Sequence, residues 1–405
     1  MPARSPLSGW IAPGLAALMF ALGLAGCCGS SGRAQPGPTS TPSTGPPTTG
    51  PSTTERACTT AGVLDTWTVA RLAAQTIVVP VQETDVAAAE PDVAGGAGGV
   101  ILFGSSAPPD LARALAALRA SAPGGIAPIV MTDEEGGAVE RLANLVGSVP
   151  SAREMGATMT PAQIKALALG LGRRMRAAGI TMDLAPVLDI DGGSGPNKRD
   201  PDGTRSFSAD AAVASAGGRA FAAGLAAGGV IPVAKHFPGL GGASGNTDVT
   251  PAVTQPWSRL QGAGLVPFAD AVASGIPAIM VANATVPGLT ALPPSISPAV
   301  IGGVLRRRLA YRGLVLTDSL SAAALNNIGY PVPRAAIAAI AAGADMILYS
   351  PPPGAPTSPG SRVVATATVA AIVTAVRTGQ ISRARLTDAV THILAAKRVD
   401  ICAGR

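Results

Sequence analysis

"VIPVAKHFPGLGGASGNTDVT", residues 230–250, decides how the rest of the chain is read. Its first part is an apolar run that ends on Lys235 and His236. A strand apolar on both faces is one buried on both faces, as in a parallel sheet covered by helices. Charge gathered at its C-terminal end suggests that the end opens onto a site. Four glycines between 239 and 245 follow, and then Asp248.

The same design recurs on both sides of this stretch. Upstream lie "TIVVPV" (76–81), "GGVILF" (98–103), "PIVMT" (128–132) and "ITMDLAPV" (180–187). Downstream lie "PAIMVAN" (277–283), "GLVLT" (313–317) and "ADMILY" (344–349). With 230–237 that makes eight strands rich in Val, Ile, Leu and Met. Helical patterns separate them. In 160–179, Thr160 is placed to cap, Pro161 suits the first turn, and Ile164, Leu167, Leu171 and Met175 form one stripe. Leu386, Val390, Ile393 and Leu394 repeat the stripe in 382–399, and His392 falls off it, on the expected surface side. The alternation predicts a single-domain (β/α)8 TIM-like barrel, with a doubly wound open sheet as the second choice.

A barrel demands that functional polar residues gather at strand C-terminal ends. Asp133, Glu134 and Glu135 follow one strand, and Asp189, Asn283, Asp318 and Ser350 follow others. Lys235 and His236 complete the set. The glycine-rich stretch is not a phosphate loop: Gly245 is followed by Asn246 rather than Lys, and G-x-G-x-x-G fails at Ser244. With two histidines in the chain, His236 and His392, a metal site is not expected, nor is any cofactor.

Composition narrows the class further. The 405 residues are 47% hydrophobic, 13% charged and 3% aromatic, so packing relies on small and aliphatic side chains. The net charge of +6 is scattered, with "RRR" at 306–308 the densest run, which argues against nucleic acid as a partner. Residues 1–26 contain a sixteen-residue apolar run ending in "LAGC", which resembles the lipobox of bacterial lipoproteins, with Cys27 the lipidated residue. Residues 27–57 are rich in Pro, Ser and Thr and cannot bury enough surface to order themselves; they suit a tether. Residues 58–405 form the expected folded part, a monomer outside the cytoplasmic membrane and anchored to it by lipid. Cys58 and Cys402 bracket it and suit a disulfide in an oxidising compartment.

A mouth ringed by carboxylates, with Lys, Arg, His and Asn between them, suits a carbohydrate substrate. Hydroxyls need matched donors and acceptors, and an oxocarbenium-like transition state needs a carboxylate beneath it. Five ordered segments carry a resemblance: "TDEEGGAVERL" (132–142), "GTRSFSAD" (203–210), "AKHFPGLG" (234–241), "RGLVLTDSLSAAAL" (312–325) and "AGADMIL" (342–348). They resemble the barrel domain of glycoside hydrolase family 3, in particular its single-domain β-N-acetylglucosaminidase branch. The resemblance implies a retaining hydrolase of terminal β-linked N-acetylhexosamine, plausible in cell-wall muropeptide turnover. It also implies that Asp318 is the nucleophile. Asp133, Arg141, Arg205, Lys235 and His236 match positions that bind the sugar.

The pattern breaks in one place. That branch carries Asp-Ser-His in the loop after the Lys-His strand, and its histidine is the acid/base. Here those positions are Asn246, Thr247 and Asp248. Three readings follow: Asp248 is the acid/base, the acid comes from Asp200 or Asp202 in 197–205, or the protein is a carbohydrate-binding lipoprotein without efficient turnover.

Overall fold

The computed structural model describes residues 58–351 and 357–403; the expected leader (1–26), the tether and Cys27 lie outside the described residues. The chain runs through β1 (Ile77–Gln82), β2 (Gly99–Phe103) and β3 (Ile129–Thr132) into a hairpin of β4 (Glu134–Gly136) and β5 (Val139–Glu140). It continues through β6 (Met182–Asp183), β7 (Ile231–Phe237), β8 (Ala278–Val281), β9 (Leu314–Thr317) and β10 (Ile347–Leu348). Hairpin aside, the strands pair in parallel in the order β10-β1-β2-β3-β6-β7-β8-β9. A parallel bridge between Leu316 and Met346 joins the two ends. The sheet is a nearly closed eight-stranded (β/α)8 barrel.

Two of the expected strands are shorter than their apolar runs. The run at 180–187 pairs regularly only at Met182 and Asp183, and Val187 then bridges Lys235. Pro186 has no N–H to give a ladder, so an apolar run alone overstates the strand. Met346 in the last run likewise pairs only through an isolated bridge.

Alternation along each strand sorts the core into two layers. Ile101, Met131, Met182, Met280, Leu316 and Met346 fill the barrel, and Ile393 from the helix Arg383–Lys397 joins them. Methionine, unbranched and flexible, suits such an irregular interior. Val100, Leu102, Val130 and Val315 face outward, against the helices.

The helix Pro161–Ala177 begins with a capping box, in which Thr160 and Gln163 satisfy each other's backbone N–H groups. It packs on the helix Ala211–Ala227 through glycine. A Cβ on Gly224 would lie 2.4 Å from the carbonyl oxygen of Lys165, and one on Gly228 would lie 2.8 Å from the Cα of Gly172. A chain this poor in aromatics gains contact by bringing backbones together.

Cys58 and Cys402 are joined by a disulfide, with their Cα atoms 5.7 Å apart. His392, expected on the surface, turns inward and is half-buried. Its Nδ1 is 3.1 Å from Asp345, whose carboxylate also takes Arg306 and Arg385 at 2.7 and 2.6 Å. The helix turns that side chain toward a buried charge that an apolar stripe cannot reveal.

Candidate active site

The C-terminal ends of the strands surround a cavity of about 330 Å3. Asp133, Arg141, Arg205, Lys235, His236, Asp248 and Asp318 all line it. Another cavity, of about 390 Å3, lies among Pro161, Pro186, Leu188 and Ala216 and is mostly apolar, so the chemistry belongs to the first.

Each element has a local reason for delivering its residue. β3 ends at Asp133, and the β4–β5 hairpin turns through Gly136 and Gly137, both at positive φ (92° and 60°). Glu134 accepts the N–H groups of Arg141 and Leu142, each at 2.9 Å, which fixes the exit of the hairpin and brings Arg141 to the mouth. β7 delivers Lys235 and His236, and β9 delivers Asp318, whose Oδ1 accepts the Ser319 N–H at 2.7 Å.

Lys235, Arg205, Asp133 and Glu135 form one buried network. The Lys235 ammonium is 2.7 Å from Asp133 and 2.6 Å from Glu135. Arg205 grips the same Glu135 with Nε and Nη2 at 2.7 and 2.8 Å. Burial alone would push Glu135 up, but Arg205 and Lys235 outweigh it and hold the carboxyl well below the usual range. For Lys235, burial works against the charge, and Asp133 and Glu135 more than compensate, so it stays cationic. A fully paired buried cation is costly to place and therefore rigidly placed.

His236 is held differently. Its Nδ1 is 2.7 Å from Asp189, whose carboxylate also accepts the His236 and Leu240 N–H groups at 3.0 and 2.6 Å. Burial, helped by the charge of Arg205, lowers His236 to about 4. Neutral near pH 7, with Nδ1–H donating to Asp189, it presents Nε2 as an acceptor.

Asp318 and Asp248 line the same cavity, and Asp318 feels the charge of Asp248. Burial raises Asp318, a protonated His236 would pull it back, and the charge of Asp248 pushes it up again. Asp248 sits at the exposed rim, yet its carboxyl lies among the cavity walls, where desolvation raises it and Asp133 adds to the shift against Arg205. The loop that carries Asp248 is stitched down. Gly242 donates to Asp191 at 2.9 Å, Asn246 N–H to the Lys198 carbonyl at 3.0 Å, and Ala324 N–H to the Thr247 carbonyl at 3.0 Å. Its glycines serve close packing: a Cβ on Gly241 would lie 2.0 Å from the carbonyl oxygen of Ile190, and Gly239 and Gly242 hold φ of 133° and 68°.

Behind the cavity lie further buried carboxyls. Burial raises Glu134 to about 7 and Asp189 to about 7, and lifts Asp183 well above its ordinary value. Asp202 goes to about 8, by burial and then by the charge of Asp189. Neither Asp202 oxygen has a hydrogen-bond partner among the described residues, and Arg205 is 3.6 Å away. Asp189, Asp202 and His236 bring one donor atom each within 4.8 Å of one another, the set a cation could reach here. His236 Nδ1 and Asp189 Oδ2, however, already pair with each other.

Three of these residues went beyond the sequence reading. Glu135 and Asp189 stood at strand ends, which was the available signal, but their partners were not visible. Asp202 sits in "NKRDPDGTR", a hydrophilic stretch that gives no hint of complete burial. Asp200, the other acid considered there, accepts the Gly195 N–H at 2.7 Å and is not among the cavity residues.

Comparison with known proteins agrees with this geometry. The model of the glycosyl hydrolase family 3 N-terminal domain matches residues 74–396. A beta-hexosaminidase, LpqI, of Mycobacterium tuberculosis is 40% identical over 238 residues, 56% of this chain and 59% of that protein, so the match spans less than two thirds of the relative. A beta-hexosaminidase of Stenotrophomonas maltophilia is 33% identical over 244 residues, 58% of this chain and 70% of that one. Among solved structures, a glycosyl hydrolase of this family from Mycobacterium smegmatis superposes with a TM-score of 0.74 at 35% identity, covering 84% of this chain and 98% of that one. Because the family match begins ahead of β1, takes in every barrel strand and ends inside the helix Arg383–Lys397, the chain belongs to glycosyl hydrolase family 3.

Proposed function

We propose that the protein is a retaining glycoside hydrolase that removes terminal β-linked N-acetylhexosamine. The observation that carries the reading is the pair of carboxyls, Asp318 and Asp248, on one cavity, both raised by burial and Asp318 raised further by the charge of Asp248. Two carboxyls that repel each other's charge share one proton over a range of pH, which is what a nucleophile and an acid require. Asp318, oriented by the Ser319 N–H, attacks the anomeric carbon from below and forms a glycosyl ester. Asp248 protonates the departing oxygen, then as carboxylate takes a proton from the water that cleaves the ester. Asp133, Arg141, Arg205, Lys235 and His236 hold the sugar hydroxyls, with charged donors on one side and the neutral His236 as acceptor.

Support for the substrate comes from the beta-hexosaminidase names of the relatives. One further relative, 35% identical over 266 residues, is described as a secreted glycosyl hydrolase. With the lipobox-like "LAGC" it supports a site of action outside the cytoplasmic membrane, with lipid on Cys27 and muropeptide fragments as natural substrates. Incubation with a fluorinated N-acetylglucosaminide, followed by peptide mass analysis, tests the reading. A covalent sugar on the Asp318 peptide is expected. Saturable sugar binding with neither adduct nor aryl-glycoside cleavage would leave a carbohydrate-binding protein instead.

A further inference from the structure

At the opposite, N-terminal mouth of the barrel lies a further cavity, of about 370 Å3, beneath the starts of β3 and β7. Arg119, Arg176, Lys397 and Arg398 line it, and no carboxylate does among the described residues. No salt bridge among the described residues reaches any of the four. Lys397 is turned inward, with Nζ on the Gln75 side-chain oxygen at 2.9 Å, and burial lowers it to about 7. Arg119 is lowered by burial and then by the charge of Arg176, so two guanidiniums already repel across the space. Four helices end here, and basic residues commonly sit at helix C-termini to meet the dipole. Four such ends supply about −2 elementary charges, less than the three guanidiniums of Arg119, Arg176 and Arg398 carry even before the part-charged Lys397 is added. The excess has no protein partner.

We infer that this lower mouth is an anion site that takes a phosphate group. Guanidinium forks match phosphate oxygens in pairs, and a tetrahedral anion can be gripped from several walls at once, whereas a planar carboxylate offers two oxygens in one plane. Cys402 follows Arg398 by four residues and is bonded to Cys58. The N-terminal end of the folded part, Cys58, is therefore tied to this cavity through about 14 Å of chain and the 5.7 Å between the disulfide's Cα atoms, on the side away from catalysis. A phosphodiester headgroup and free phosphate share the chemistry, and binding assays on the full chain separate them. Titration at fixed ionic strength with inorganic phosphate and with glycerophosphoglycerol should give saturable binding of at least one. Preference for the diester points to a lipid headgroup; preference for the monoester points to free phosphate. The Arg119→Ala/Arg176→Ala variant should lose at least tenfold in affinity while cleaving aryl glycoside as before, and bound phosphate should slow acylation of Lys397 several-fold. Absence of saturable binding by both probes, or equal binding by wild type and variant, overturns the site.

Discussion

At Asp248 the protein differs from the histidine that the family resemblance implied, and the chemistry of the difference is measurable. Asp248→Asn should slow substrates with poor leaving groups by about 10²–10⁴-fold and activated aryl glycosides by less than tenfold. Loss of its charge also relieves one of the pushes on Asp318, so the acid limb of kcat/KM should move to lower pH. Equal losses on both substrates with an unmoved limb would remove Asp248 from proton transfer. Asp202 makes a separate prediction. Its folded value of about 8 lies above the ordinary 3.8, so between those values the folded state holds a proton that the unfolded chain has released. Its contribution is present at low pH and lost as pH rises toward 8; Glu134 and Asp189, at about 7, act with the same sign. Glu135 acts oppositely, but only below its ordinary 4.5; His236, lowered from 6.5 to about 4, and Lys397, lowered from 10.5 to about 7, also act oppositely and offset part of the fall. Melting temperature should therefore fall from pH 5 to pH 8, and Asp202→Asn should flatten that fall, each pH unit being worth at most about 1.4 kcal/mol per group. An unchanged slope would mean Asp202 is ionised in the fold. Asp133, Lys235, His236 and Asp318 were readable from strand-end position, while Arg141, Arg205 and Asp248 needed the family resemblance. The partners that tune them were not, because Asp189 meets His236 and Glu135 meets Arg205 only after closure.

Among the elements, the barrel strands were legible because each is a short, nearly continuous apolar run, as burial on both faces requires, and most are followed by a polar residue. The β4–β5 hairpin was not, since "EEGGAVE" has no alternation that marks so short a pairing. The loop of residues 238–250 teaches the same lesson. Glycine in sequence signals freedom, but Gly241 is there because the Ile190 carbonyl occupies the place of a side chain. Helix packing gives the test. Gly224→Ala forces a Cβ to within 2.4 Å of the Lys165 carbonyl oxygen and should cost about 1–3 kcal/mol in urea unfolding. Gly170→Ala, in the partner helix, meets only the movable end of Arg174 at 3.3 Å. It should be neutral or stabilise by up to about 1 kcal/mol. If the two variants unfold alike, close backbone approach is not what the glycines provide.

For the molecule as a whole, the disulfide spans 344 residues, so it constrains nearly the entire unfolded chain. Cys58→Ser/Cys402→Ser should lower stability by about 3–5 kcal/mol, read by denaturant midpoint, with little change in aryl-glycoside kcat because the bond is remote from the cavity. A stability unchanged by the substitution would mean the unfolded chain is compact at those ends without it. The bond has one more consequence. From Cys58 to Cys402 the backbone is a closed ring, and a ring must be cut twice to come apart. A single protease nick anywhere on the folded part should leave one covalent particle on a non-reducing gel and release two fragments only when thiol is added.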